Sequence, residues 1–373
     1  MITLRPFRLF PNPRHGVPGV VILPAGGFRR AKAAITGWAG YAPTPLRALP
    51  TVARDAAIGS IHLKDESDRF GLGSFKALGG AYAVGAVIDA ARSRGEQQDT
   101  ITVTCATDGN HGRAVAWGAQ RFRCRCVIIV HETVSQGRVD AIAAYGAEVR
   151  RVPGTYDDAV REASHLAATH GWHVVSDTSW PGYTEVPRDI MQGYRLMADE
   201  AADQWEGLPP THVFIQGGVG GAAAAVAVQM RARFQPTPRV IVVEPDNAAC
   251  LLASAEIGAL TAIPGNLDTM MAGLACGEPS LLAWEELQRS AAAFMAIPDA
   301  TAIEAMRLLA AAGVISGESG AAGLAGCLLA ASDPAARAVL GLELDSRVLV
   351  FSTEGATDQA LYEKFVGSQT SPT

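Results

Sequence analysis

The sequence predicts an α/β protein with doubly wound, mostly parallel sheets, and two observations carry that prediction. Short apolar β runs alternate with alanine-rich helical stretches along most of the 373 residues. Several of the β runs are continuous Val/Ile segments with no polar alternation. Such runs belong to strands covered on both faces, and the helices between them supply the crossovers that parallel strands need.

In chain order, the first helix expected is Phe75–Arg94, with Ser74 as a good N-cap before it. Strand Ile101–Cys105, helix Gly112–Arg121 and strand Arg125–Val130 follow. Cys124-Arg-Cys126 at the start of that strand shows the alternation of a β segment rather than a zinc spacing. Helix Val139–Ala144 and strand Ala147–Val152 come next, and the Asp157-Asp158 pair marks a helix N-terminus. Helix Pro187–Trp205 leads to strand His212–Ile215. The apolar run Val219–Val228, rich in Gly and Ala, reads as part of a close-packed helix, Ala222–Arg233. Strands Val240–Glu244 and Arg347–Phe351 complete the pattern.

Composition narrows the class. The length suits two domains, and the apolar content excludes disorder. With 31 basic and 37 acidic residues the net charge is −6, the wrong sign for tracking a phosphate backbone, so no nucleic-acid partner is expected. No run reaches the roughly 18 apolar residues of a membrane span, and the first 14 residues lack the apolar core of a secretory signal. Six scattered cysteines form no C-x-x-C pair, so a reduced, cytoplasmic protein without a metal site is expected. His165, His170 and His173 read as a solvated helix end.

Open α/β sheets bind ligands beyond the carboxyl ends of their strands, and four loops there carry chemistry. Lys76, in Gly73-Ser74-Phe75-Lys76-Ala77-Leu78, falls in the first turn of a helix beside apolar neighbours. The helix dipole disfavours its charge there, which suits Schiff-base chemistry; an ordinary surface lysine is the plain alternative. Thr107-Asp108-Gly109-Asn110-His111-Gly112 follows a strand and opens a helix. Its free N–H groups make an anion cradle, or the segment is simply a turn and a cap. Gln216-Gly217-Gly218-Val219-Gly220-Gly221 aims successive backbone N–H groups at one anion. It also contains Gly218-x-Gly220-x-x-Ala223, with Glu244 further on, a weak dinucleotide-type match that sustains a nucleotide-dependent oxidoreductase as a rival. The fourth is the pair Gly317-Glu318-Ser319-Gly320 and Phe351-Ser352-Thr353-Glu354-Gly355.

A lysine, an Asp-Gly-Asn loop, a glycine cradle and a hydroxyl, each after a strand, together suit pyridoxal 5′-phosphate. The order Ser74-Phe75-Lys76, Gly109-Asn110-His111, Gly217–Gly221 and Ser352 resembles the fold-type II, tryptophan synthase β-like enzymes. Asp108, Asp177-Thr178-Ser179-Trp180-Pro181-Gly182-Tyr183, Ile190-Met191-Gln192-Gly193-Tyr194 and Met270-Ala272-Gly273-Leu274 resemble the diaminopropionate ammonia-lyase family more narrowly. The resemblance runs from about Tyr41 to Asp358.

That resemblance implies two doubly wound α/β domains with the active site between them. Residues 1–44 and 185–373 would form the larger, phosphate-binding one, and residues 45–184 the smaller one carrying Lys76 and the Asp108–Asn110 loop. It implies elimination of D- or L-2,3-diaminopropionate to pyruvate and two ammonia through an aminoacrylate, in a homodimer. Lys76 would hold the cofactor and take the α-proton of the L-isomer, and Asp108 that of the D-isomer. Asp177 would assist the second amino group. Phe75, Asn110, Gly217, Gly218, Val219, Gly220, Gly221, Glu318 and Ser352 would bind the cofactor, with Asn110 on its 3′-oxygen. Ser352, or Thr353 one residue on, would face the ring nitrogen. Thr107, Asp108, Gly109, His111 and Asp177 would contact the substrate. The alternatives are an ammonia-lyase or dehydratase acting on serine, threonine or a hydroxyaspartate, and a catalytically silent cofactor-binding protein.

Overall fold

The chain builds two sheets that share one seam of helices. The computed structural model describes residues 2–107 and 109–367, apart from the Asp157 side chain. Its eleven strands are β1 (Arg8–Pro11), β2 (Leu46–Ala48), β3 (Ser60–Asp65), β4 (Thr102–Thr107), β5 (Arg125–His131), β6 (Glu148–Val152), β7 (His173–Val174), β8 (His212–Gln216), β9 (Arg239–Pro245), β10 (Ala291–Ile297) and β11 (Arg347–Ser352). The larger sheet has the order β1-β10-β9-β8-β11-β3-β2 and the smaller β6-β5-β4-β7. All neighbours are parallel except the edge pairs β1–β10 and β2–β3.

The continuous apolar runs lie where such runs belong. Every residue of β4 and β8 is buried, as are Val348–Ser352 of β11, since helices cover both faces of the parallel core. All six strands read from sequence are present. The short strands β1, β2 and β7 were not read, nor were β3 and β10: Ser-Ile-His-Leu-Lys-Asp interleaves polar residues, and Ala-Ala-Ala-Phe-Met-Ala-Ile has the composition of a helix. Sheet pairing makes them strands, because β3 aligns with β11 (Phe351 against Lys64) and β10 with β9. The smaller sheet lies wholly within residues 102–174. The strands β2 and β3, inside the expected 45–184 segment, pair into the larger sheet, so that expected boundary does not follow the sheets.

Helices Lys76–Ser93, Asn110–Phe122, Glu185–Gln204 and Gly221–Arg233 pack against one another between the sheets. Close approach at their contacts depends on glycine. A Cβ on Gly193 would stand 2.0 Å from the Leu78 carbonyl oxygen, and one on Gly79 would stand 2.4 Å from the Tyr194 ring. Among the described residues no helix is long and apolar enough to cross a membrane, and no group of three or more His, Cys, Asp or Glu is placed to hold a metal.

Candidate active site

The ends of three strands converge on one cavity of about 730 Å³. β4 delivers Thr107, Asn110 and His111, β8 delivers Gln216 to Val219, and β11 delivers Thr353 and Glu354. Lys76 enters as the first residue of its helix. The expected Ser74 cap is corrected: Phe75 occupies the cap position, with no side-chain cap bond. Ser74 instead pairs with Glu354 in an isolated bridge, and the Phe75 N–H donates to the Thr353 carbonyl at 3.0 Å. Pairing with the strand end therefore extends to Ser74 and places Lys76 at the cavity wall.

The Lys76 Nζ lies 2.5 Å from Asp177 Oδ2, although the two residues are 101 apart in sequence. It also lies over the rings of Phe75 and Tyr194, 5.3 and 5.7 Å from their centroids. Burial opposes a charge on Asp177, yet the Lys76 ammonium and then His111 hold its carboxyl well below the usual carboxylate range. His111 is itself buried. Its Nε2–H donates to the Val175 carbonyl at 2.8 Å, and Nδ1 stands 3.8 Å from Asp177. Asp177 was expected at the site only from the resemblance of its segment, since no local pattern joins it to Lys76, 101 residues away.

The loop after β4 is shaped from within. Thr107 Oγ1 accepts from the N–H groups of Gly109 (2.9 Å) and Gly112 (3.0 Å), so this hydroxyl builds the loop besides lining the cavity. The Asn110 amide donates to Glu354 and accepts from Arg113. Gly109 lies under Arg138: a Cβ there would be 3.1 Å from the Arg138 Cδ. The expected base Asp108 lies outside the described residues.

Opposite Lys76, the Gly217–Gly221 segment opens the helix Gly221–Arg233. Gly218 and Gly220 take φ of 56° and 96°, the left-handed region open to glycine. Gly217, Gly218, Val219 and Gly221 line the cavity; Gly220 turns inward onto Ala283 and Leu287. A Cβ on Gly218 would come to 3.4 Å of the Gly273 carbonyl, within the loop that closes this side. The Gly217 and Gly220 N–H groups donate to the Val243 and Gly217 carbonyls, and the backbone of Gly218, Val219 and Gly221 at this helix start suits a phosphate group. A primary amine across the cavity fits an aldehyde, so the residues present suit pyridoxal phosphate.

Two expected cofactor contacts change. Ser352 is fully buried away from the cavity, its Oγ donating to Ser316 Oγ at 2.8 Å, and Thr353 lines the cavity instead. Successive side chains at a strand end point to opposite sides, so a shift of one residue exchanges the two. Glu318 does not line the cavity. It is ion-paired with Arg138 at 2.8 Å, and burial and the nearby Glu354 push its carboxyl up. Gln216, Tyr194 and the segment Gly265–Cys276, apart from Met271, also line the cavity; the sequence motifs contained Gln216, Tyr194 and Met270–Leu274 without giving them a site role. Gln216 directly precedes the glycine cradle and could have been found there. The dinucleotide reading loses its ribose-binding acid: Glu244 is buried and accepts from the Leu251 (2.9 Å) and Leu252 (2.8 Å) N–H groups, capping the helix Cys250–Ile257.

Residues 38–350 match the family described as pyridoxal-phosphate dependent enzyme. Diaminopropionate ammonia-lyase of Escherichia coli (strain K12) is 42% identical over 350 residues, covering 88% of each chain. The crystal structure of the holo Escherichia coli diaminopropionate ammonia lyase superposes with a TM-score of 0.91 at 38% identity, over 98% of both chains. The same enzyme in complex with an aminoacrylate-PLP azomethine reaction intermediate gives 0.90 at 38% identity, over 98% of this chain and 97% of that one.

Proposed function

Since the chain belongs to the diaminopropionate ammonia-lyase family of pyridoxal-phosphate dependent enzymes, we propose that it eliminates the β-amino group of 2,3-diaminopropionate, after which hydrolysis of the released product by one water gives pyruvate and the second ammonia. The observation that carries the reading is the half-buried Lys76–Asp177 pair lining the same cavity as the glycine cradle. Bound pyridoxal phosphate supplies an electron sink that acidifies the substrate's α-C–H.

The chain's own residues then have defined tasks. Lys76 Nζ would hold the cofactor aldehyde and would be the base for the α-proton of the L-isomer. Asp177, kept ionised beside it, attracts the substrate's second ammonium and assists its departure. Gly217, Gly218, Val219 and Gly221 hold the phosphate, with Gly220 shaping the turn. Phe75 packs on the lysine side, Asn110 would bond the 3′-oxygen, and Thr353 rather than Ser352 would meet the ring nitrogen. Thr107, Gly109 and His111 support the substrate side. Glu318 acts at one remove, holding Arg138 over the Gly109 loop. Asp108 as base for the D-isomer rests on the resemblance of its loop.

We place the smaller unit around the sheet of residues 102–174, and we read the protein as a cytoplasmic homodimer; light scattering on the purified protein tests the dimer. The deciding assay is pyruvate release from D- and L-2,3-diaminopropionate, with L-serine and L-threonine in parallel. Release from diaminopropionate and little from the hydroxy amino acids supports the proposal. Turnover of the hydroxy amino acids alone refutes the substrate.

A further inference from the structure

Gln216 stands at the end of β8, buried, and its amide nitrogen meets four oxygens. These are the carbonyls of Ser319 (3.1 Å), Gly320 (2.9 Å) and Phe351 (3.0 Å), and Thr353 Oγ1 (2.8 Å). Three of the four can only accept. The amide must therefore present its NH2 to them, because the flipped amide would set its own oxygen against three carbonyl oxygens. With this orientation settled, two amide hydrogens are shared among four oxygens, and Thr353 Oγ1, the nearest at 2.8 Å, accepts from Gln216. The amide nitrogen cannot accept in return, so the Thr353 hydroxyl hydrogen has no use on that side. Thr353 lines the cavity, and Gln216 is the one hydrogen-bond partner of its side chain among the described residues.

From this geometry we propose that Gln216 is a positioning residue: by donating to Thr353 it turns the Thr353 O–H into the cavity as a donor and so holds the cofactor's ring nitrogen unprotonated. A pyridinium N–H would meet a second donor, or would leave the hydroxyl hydrogen buried without an acceptor, which carries the full desolvation penalty. An unprotonated ring withdraws less charge from the reacting carbon and so favours loss of the β-amine over reprotonation. Gln216 does this without touching the cofactor. The inference rests on the reading that Thr353, not Ser352, meets the ring nitrogen.

The test is the 15N resonance of ring-labelled pyridoxal phosphate bound to the full-length protein, followed across neutral pH. The expected wild-type resonance lies in the unprotonated pyridine range and does not titrate. Thr353→Val, which keeps the shape but removes the hydroxyl, and Gln216→Met, which removes the amide, should each shift it or make it titrate. The double variant should add nothing to the larger single effect. No shift in Thr353→Val overturns the reading of Thr353 and the proposal with it. A shift in Thr353→Val with none in Gln216→Met overturns the role of Gln216 alone. The wild-type spectrum needs no variant to fold: a pyridinium resonance there overturns the proposal outright.

Discussion

Lys76 and Asp177 make a tight ion pair that the proposed chemistry must open, since the amine has to leave the carboxylate to hold a cofactor. The pair therefore stores a partner for a second cation, and the substrate's extra ammonium is that cation. Lys76→Ala should abolish both the visible cofactor band and pyruvate formation, read by absorbance and a coupled assay; retained turnover would remove Lys76 from its role. Asp108→Asn should impair turnover of the D-isomer far more than that of the L-isomer, and equal losses would contradict two bases on opposite faces. Asp177 has its carboxyl held below its unfolded value, so its contribution to stability is complete above the ordinary carboxylate range and is lost as pH falls through the folded value. Acid titration of the cofactor-free protein below roughly pH 5 should thus cost the wild type more stability than Asp177→Asn, as measured by thermal melting.

Among the helices, small residues set where the chemistry sits. Gly79 and Gly193 bring helix Lys76–Ser93 against helix Glu185–Gln204 so closely that any side chain at Gly193 would occupy the Leu78 carbonyl. The first helix carries Lys76 and the second carries Tyr194, whose ring lies beside the lysine amine. Gly193→Ala should push the two apart, costing about 1–3 kcal/mol as overpacking does, and should weaken cofactor binding at the same time. Urea unfolding and a cofactor titration check the two halves of that statement. Loss of stability with unchanged cofactor affinity would show that the helix contact supports the fold alone.

Across the whole molecule, the segment that enters the site is tied down by buried charge. Arg69 reaches Glu66 (2.7 Å) and Glu200 (2.6 Å), and Lys64 reaches Glu200 (2.8 Å), all within the protein interior. These ion pairs join β3 and the turn before Lys76 to helix Glu185–Gln204, so they hold the lysine in register with Asp177 and Tyr194. Arg69→Met would leave two carboxylates buried with one lysine and should destabilise the fold by about 3–5 kcal/mol in denaturant unfolding. Arg69→Met combined with Glu66→Gln should recover part of that loss, because it removes one uncompensated charge. On the other side of the cavity, Arg138–Glu318 and Ser135–Asp358 span the two sheets.

The sequence by itself determined the class of fold and six of the strands, and it singled out the glycine cradle and Lys76 as candidates, because each is a local pattern: apolar runs, glycine density, or a cation at a helix start. It left β3 and β10 unread, since their composition contradicts their pairing and neighbouring strands decide the matter. It left the hydroxyl at the end of β11 open between Ser352 and Thr353, and only the direction of the side chains chose Thr353. The partnership of Lys76 with Asp177, and the grip of Gln216 on Thr353, join residues 101 and 137 positions apart. Such contacts have no local signature. They exist because parallel strands direct every carboxyl end to one edge of the sheet, and that convergence is a property of the tertiary fold.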